Sequence, residues 1–125
     1  MTIREAITEA DNLKPNMYQD PDKIRWLSRL DRRIYNEILL THELNDGETL
    51  PEFTGYGETD NEEELLVGEP YDELYIHWLE AQIDYADMEY DGFNAANAVF
   101  EGVYSAFRNA YNASHMPKGK SKIYF

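Results

Sequence analysis

Apolar residues return at intervals of three and four along much of this chain, the spacing that places side chains on one face of an α-helix. The first such stretch follows Thr2 and Glu5, which are separated as in a helix capping box. It predicts a first helix that ends before Lys14-Pro15, because a residue preceding proline is disfavoured in helical conformation. The apolar face of this helix is formed by Ile3, Ala6, Ile7, Ala10 and Leu13.

A second helix is predicted from Asp20-Pro21 to about Leu44. Asp can cap free backbone N–H groups, and proline is tolerated in the first turn, where its missing donor costs nothing. Arg29, Arg33 and Glu37 follow one another at spacings of four along the exposed face. The apolar face is formed by Ile24, Leu27, Leu30 or Asp31, Ile34, Tyr35 and Ile38, with Trp26 near one edge.

Two more amphipathic stretches occupy the second half of the chain. Pro70 is predicted to open the third helix, and the helical pattern is predicted to break within residues 87–92 before a fourth helix begins. The fold class is therefore all-α, a small bundle of about four helices. The predicted core residues are Trp26, Leu27, Ile34, Ile38, Leu74, Trp78, Phe100 and Phe107.

Helical periodicity disappears between residues 45 and 70, where glycines and prolines punctuate a polar stretch. This stretch predicts a long acidic loop between the second and third helices. Connections of that length in a compact domain are usually functional or mobile. Leu65-Leu66-Val67 is the one place within it that is predicted to form a short strand or to dock onto the helices.

The distribution of charge is very uneven. The 125 residues carry a net charge of −14, yet 42% are apolar and 14% aromatic, which is enough to build the core of one domain. Residues 45–91 hold 16 of the 25 acids and no Lys or Arg, so these acids have no basic neighbour in sequence and would repel a phosphate backbone. The predicted acidic surface comprises Glu58, Asp60, Glu62, Glu63 and Glu64.

The last eleven residues have a different character from the rest. We divide the chain into a helical domain, residues 1–114, and a C-terminal arm, residues 115–125. Lysines alternate with small residues in the arm before an apolar end, a pattern suited to binding a partner or a neighbouring subunit. The predicted partner-binding residues are Lys118, Lys120, Lys122, Ile123, Tyr124 and Phe125.

Catalytic and metal-binding patterns are not found in the sequence. The chain has no cysteine, which excludes disulfides, thiolate catalysis and cysteine-ligated metal centres. Glu73 and His77 share a helical face, but a di-iron bundle needs a Glu-x-x-His spacing twice. No serine lies in a nucleophile-elbow motif. We therefore expect no enzymatic activity and no cofactor, and the absence of a long apolar stretch predicts no membrane insertion.

Three segments together resemble a known family. They are Ile24-Arg25-Trp26-Leu27-Ser28-Arg29-Leu30-Asp31, the stretch Leu65 to Leu79, and Ala113-Ser114-His115-Met116-Pro117-Lys118. The chain resembles the small helical head-tail connector proteins encoded by tailed phages and by prophages of Gram-positive bacteria. The resemblance covers nearly the whole chain and carries no active-site residues.

The resemblance implies a structural virion protein that forms a ring of about twelve copies beneath the portal protein. Such a ring extends the DNA channel, lets DNA pass without specific binding, and gives a tail-side connector or stopper protein its docking surface. It also implies a location in the virion, in the bacterial cytoplasm during assembly, and a chain that can be monomeric until it meets the portal. Two alternatives stay open: an acidic mimic of DNA, suggested by the run of unpaired acids, and another helical protein-binding adaptor.

Overall fold

The computed structural model describes residues 1–119. Over this range the domain is all-α, as the hydrophobic periodicity predicts, with helices α1 (Ile3–Leu13), α2 (Asp20–Ile34), α3 (Leu74–Ala86) and α4 (Tyr90–Ser114). The described residues form no β-strand, and only two isolated backbone bridges join Thr2 to Glu64 and His42 to Pro117. Within residues 1–119, no helix is both long enough and apolar enough to cross a membrane.

Helix α1 begins as its capping box predicts. The Thr2 side chain accepts a hydrogen bond from the backbone N–H of Glu5, and the Glu5 carboxylate accepts one from the N–H of Thr2. Helix α2 begins differently, because Gln19 occupies the N-cap position and makes no side-chain cap. The Asp20 carboxylate instead binds the Arg4 guanidinium at 2.6 Å, which ties the start of α2 to α1.

Helix α3 lies at the centre of the fold and packs against α1, α2 and, most extensively, α4. Of the predicted core residues, Leu27, Ile34, Ile38, Leu74 and Phe100 are buried. Trp26, Trp78 and Phe107 are only partly buried and pack against the edge of the core. Helix α4 contributes only Phe100 and Tyr104 as buried side chains, so it rests on the bundle by a narrow face.

The end of α2 differs from the prediction of a helix to about Leu44. The α-helical pattern stops at Ile34, and Tyr35–Leu39 form a single π-helical turn. The Thr41 hydroxyl then donates to the carbonyl oxygens of Glu37 and Ile38, and His42 also contacts the Ile38 carbonyl. These side chains satisfy the last carbonyl groups of the helix and end it before Leu44.

The start of α3 also lies later than predicted. Pro70 follows a cis peptide bond, and residues 71–73 form tight turns before the helix begins at Leu74. The predicted break between α3 and α4 is confirmed, since α3 ends at Ala86 and α4 begins at Tyr90. Met88 lies between them with a φ of 61°, and it is the only residue other than glycine in residues 1–119 with a positive φ.

A pair of glycines in α4 allows a matched test of this packing. A Cβ atom at Gly92 would lie 2.7 Å from Oδ2 of the buried Asp84, whereas a Cβ at Gly102 would meet nothing within 4 Å. We expect Gly92→Ala to lower the free energy of unfolding by about 2 kcal/mol through this overlap. Gly102→Ala should raise it by about 0.8 kcal/mol, because alanine is the better helix former. Urea unfolding of both variants measures the difference, and equal effects would contradict the close packing at Gly92.

Candidate interaction surface

The acidic segment between α2 and α3 is attached to α2 and to α1. Phe53 is buried, with the Arg32 guanidinium 5.0 Å above its ring and hydrogen-bonded to its carbonyl oxygen at 3.0 Å. Further along, the carbonyl oxygens of Asn61 and Glu63 accept hydrogen bonds from the N–H groups of Arg4 and Ile3. The segment therefore satisfies two of the free donors at the start of α1, which that helix cannot satisfy itself.

Leu65-Leu66-Val67 docks onto the helices, one of the two outcomes its sequence predicts. Leu65 and Val67 are buried in the core. The N–H group of Val67 donates to the Tyr75 hydroxyl at 2.8 Å, which connects the segment to α3. This docking closes the long connection and fixes where the preceding acids lie.

Asp31 is the buried group around which the acidic segment is organised. It is fully buried on α2, and its carboxylate accepts hydrogen bonds from the hydroxyls of Tyr56 and Tyr75 and from the N–H of Leu66. Burial raises the pKa of the Asp31 carboxyl, although these three hydrogen bonds act in the opposite direction. Burial and the neighbouring carboxylate also raise the pKa values of Tyr56 and Tyr75, so both remain proton donors.

The five predicted acidic residues do not all have the same role. Glu58, Glu62, Glu63 and Glu64 are exposed. The Asp60 carboxylate is partly buried and accepts a hydrogen bond from the Gly57 N–H at 2.6 Å, so it stabilises its own turn. An open depression of about 530 Å³ is lined by residues 59–64. Asp60, Glu62, Glu63 and Glu64 therefore line one depression, whereas Glu58 lines a separate one beside α2.

Acids that sequence reasoning did not assign extend this surface. A second open depression, about 550 Å³, includes Glu5 and Glu9 from α1 together with Glu69, Asp72 and Glu73. The Met1 amino group lies between the two depressions, 3.1 Å from Glu64 and 3.8 Å from Asp72. Glu5 and Glu9 were missed because residues 1–44 are nearly neutral overall. Their spacing of four on the outer face of α1 was the available signal.

The predicted C-terminal arm is docked over its first residues. The N–H of Lys118 donates to the Thr41 carbonyl oxygen at 2.8 Å, and the Met116 carbonyl oxygen accepts from the Glu43 N–H at 2.7 Å. These two backbone hydrogen bonds hold residues 116–118 beside residues 41–43, which follow the π-helical turn. The lysine side chain of Lys118 is exposed. Lys120, Lys122, Ile123, Tyr124 and Phe125 lie outside the described residues.

Two histidines close the end of the domain where this segment docks. His42 is buried, contacts Asn112 of α4 and meets the Tyr111 ring edge-on. The His115 ring stacks on Tyr111 at 3.9 Å and contacts the Glu48 carboxylate at 2.8 Å. The hydrogen bond from His115 lowers the pKa of Glu48. These contacts give both histidines packing roles that their isolated positions in the sequence did not reveal.

No candidate metal centre is found in the part of the chain that the structure describes. Within residues 1–119, no three His, Asp or Glu side chains converge in a way that would hold a metal ion. His77 contacts Glu80 at 3.0 Å rather than Glu73.

Comparisons with protein-family models, curated proteins and solved structures found no significant match to the chain. The surfaces described above are therefore the basis for a functional proposal.

Proposed function

We propose that this chain is a structural virion protein, a head-tail connector adaptor that forms a ring under the portal, extends the DNA channel and gives the tail its docking surface. The observation that carries the proposal is the acidic surface held on a packed backbone. Glu62, Glu63 and Glu64 are exposed on a segment that is hydrogen-bonded to α1 and organised around Asp31 of α2. A lining of fixed carboxylates would repel phosphates and let DNA slide without being held.

The distribution of basic residues supports the same assignment. Arg33 and Arg108 lie over the Tyr104 ring at 4.6 and 5.8 Å, and Arg108 and Lys118 line one depression beside His42. The basic side chains at this end therefore lie around α4 and the start of the C-terminal segment rather than in the acidic depressions. A ring-forming protein can use such a basic region for a protein contact while its acids face DNA.

Assembly with the portal protein of the same phage or prophage tests this proposal. Purified protein is mixed with portal rings and examined by negative-stain electron microscopy and by sedimentation. We expect a second ring to form on the portal, whether or not the protein is monomeric alone. Failure to associate with portal rings under any assembly condition would contradict the connector assignment.

Removing residues 120–125 should separate assembly from folding. The last backbone contact described is the Lys118 N–H bond to Thr41, so truncation after Gly119 keeps every contact that the structure describes. We expect a melting temperature within about 2 °C of the full chain and weaker binding to the portal ring. A large drop in melting temperature would mean that residues 120–125 belong to the fold.

Two triple variants test the acidic lining. One replaces Glu62, Glu63 and Glu64 with glutamine, and the other replaces the same three residues with lysine. Both should assemble on the portal, but only the lysine variant should bind phosphate backbones and slow DNA passage, with an effect that weakens as salt rises. If the unmodified protein instead displaces DNA from DNA-binding proteins at low salt, the acidic-mimic alternative replaces the connector.

A further inference from the structure

An exposed apolar cluster covers the end of the bundle opposite the docked C-terminal segment. We define the tip patch as five residues from the end of α1, the following loop and the α3–α4 turn that are 56–93% exposed: Leu13, Met17, Tyr85, Met88 and Tyr90. Contacts bring these segments together, because Lys14 pairs with Asp84 and the Tyr18 hydroxyl donates to Asp87 at 2.7 Å. The Tyr85 ring also contacts the rings of Tyr90 and Phe93.

Met88 is the most unusual residue of the tip patch. Its positive φ favours glycine or asparagine, yet the position carries an apolar side chain that is 73% exposed. Neither backbone conformation nor burial in the monomer accounts for methionine there. A contact made outside the monomer would account for it, since flexible methionines adapt to apolar binding surfaces.

The chain itself contains a segment of complementary character. The exposed acids Asp87, Glu89 and Asp91 alternate with Met88 and Tyr90 at the tip. Residues 118–125 alternate three lysines with small residues and then end in Ile-Tyr-Phe. The two segments thus carry charges of opposite sign, and each also contains apolar side chains that can anchor a contact. Opposite charges give an interface its orientation, and apolar anchors give it affinity.

The length of α4 disfavours joining these two segments within one copy. Lys118 lines the same depression as Arg108, which is 18 residues along α4 from Tyr90, about 27 Å at 1.5 Å per residue. The six residues after Gly119 reach at most about 21 Å when fully extended. The backbone of these six residues is shorter than that span, which favours a tip patch on another copy over one on the same copy.

We propose that the tip patch binds residues 120–125 of a second copy, so that copies join head to tail. A head-to-tail contact forms a closed ring when its rotation closes and an open filament when it does not. In the ring of the proposed function, α4 would then run along the direction from one subunit to the next. The inference rests on the proposed function only for ring closure, because the contact needs no portal.

Photo-cross-linking of the full chain tests this contact without portal protein. A benzophenone cross-linker is placed at Tyr124, and ¹⁵N-labelled and unlabelled copies are mixed so that mass spectrometry separates intermolecular from intramolecular products. We expect mixed-isotope cross-links to residues 13–17 and 85–91, with a yield that rises with protein concentration. Cross-links within one copy to Leu40 or Leu44, cross-links to the acidic surface at 58–64, or no cross-links at all would each overturn the proposal.

Two variants connect the cross-link to the tip patch. Met88→Asn removes the apolar side chain, and asparagine suits the positive φ, so the variant should be at least as stable as the unmodified protein. The yield of intermolecular cross-links should nevertheless fall about fivefold. Val99→Gln is the matched control, because Val99 is also an exposed apolar residue but lies along α4 away from the tip. An unchanged yield in Met88→Asn, or an equal loss in Val99→Gln, would refute the tip patch as the binding site. Portal binding that persists after such a result would leave the proposed function standing.

Discussion

Replacing Asp31 with alanine should lower the free energy of unfolding by about 3 kcal/mol, a large fraction of the stability of a small domain. The substitution removes the acceptor shared by the Tyr75 hydroxyl, the Leu66 N–H and the Tyr56 hydroxyl. Tyr75 is fully buried, so its hydroxyl hydrogen has no water to replace the carboxylate. The acidic segment should also detach from α2, which faster hydrogen exchange at Leu66 and Val67 would report.

The matched control is Asp22→Ala on the same helix. Asp22 pairs with Arg25 near the surface, and an exposed pair of this kind contributes about 0.5 kcal/mol. Urea unfolding followed by circular dichroism compares the two variants. If Asp31→Ala were no less stable than Asp22→Ala, Asp31 would not organise the acidic segment.

The same carboxylate should leave a pH signature. A carboxyl group with a higher pKa in the folded than in the unfolded chain binds protons more tightly when folded, so its contribution to stability falls as pH rises through that interval. For Asp31 the interval begins at the ordinary value of 3.8 and extends upward, because burial raises its pKa. Asp31→Asn lacks this titration. The difference in free energy of unfolding between the unmodified protein and Asp31→Asn should therefore be larger near pH 4 than at pH 7. A difference that grew as pH rose would contradict the raised pKa of Asp31.

Replacing Trp78 with alanine should cost about 3 kcal/mol, even though the indole is only partly buried. Trp78 lies on α3 and connects it to two helices at once. Its Nε1–H donates to the Trp26 carbonyl oxygen of α2 at 2.9 Å, and its ring packs on Phe100 of α4 at 5.2 Å. Alanine would remove both contacts and leave a cavity between α2 and α4.

Trp78→Phe separates the two contributions. Phenylalanine keeps the ring contact with Phe100 but loses the hydrogen bond, so the cost should fall to about 1 kcal/mol. Tyr85→Ala on the same helix is the control for an exposed aromatic residue, with an expected cost of about 0.5 kcal/mol. Equal effects of Trp78→Ala and Tyr85→Ala would show that Trp78 is a surface residue rather than a link between helices.

Much of the fold follows from local sequence because local forces decide it. The capping box at Thr2 and the apolar spacing of α1, α2, α3 and α4 depend on residues within a few positions of one another. The C-terminal end of α2 and the start of α3 were misplaced for the opposite reason. Thr41 and His42 satisfy the carbonyl groups at the end of the π-helical turn that follows α2, and His42 is itself held by Asn112, 70 residues further on.

For the candidate surfaces too, some features follow from sequence alone and others depend on tertiary packing. Sequence by itself determined that this protein is all-α and that its acids are concentrated between residues 45 and 91, since periodicity and charge counts need no partner. Only the tertiary structure decided where those acids lie, because the buried acceptor Asp31 joins groups 25 to 44 positions away. It likewise brought Leu13, Met17 and Met88 to one end of the bundle. Contacts of this kind depend on how helices pack, and no local pattern encodes that.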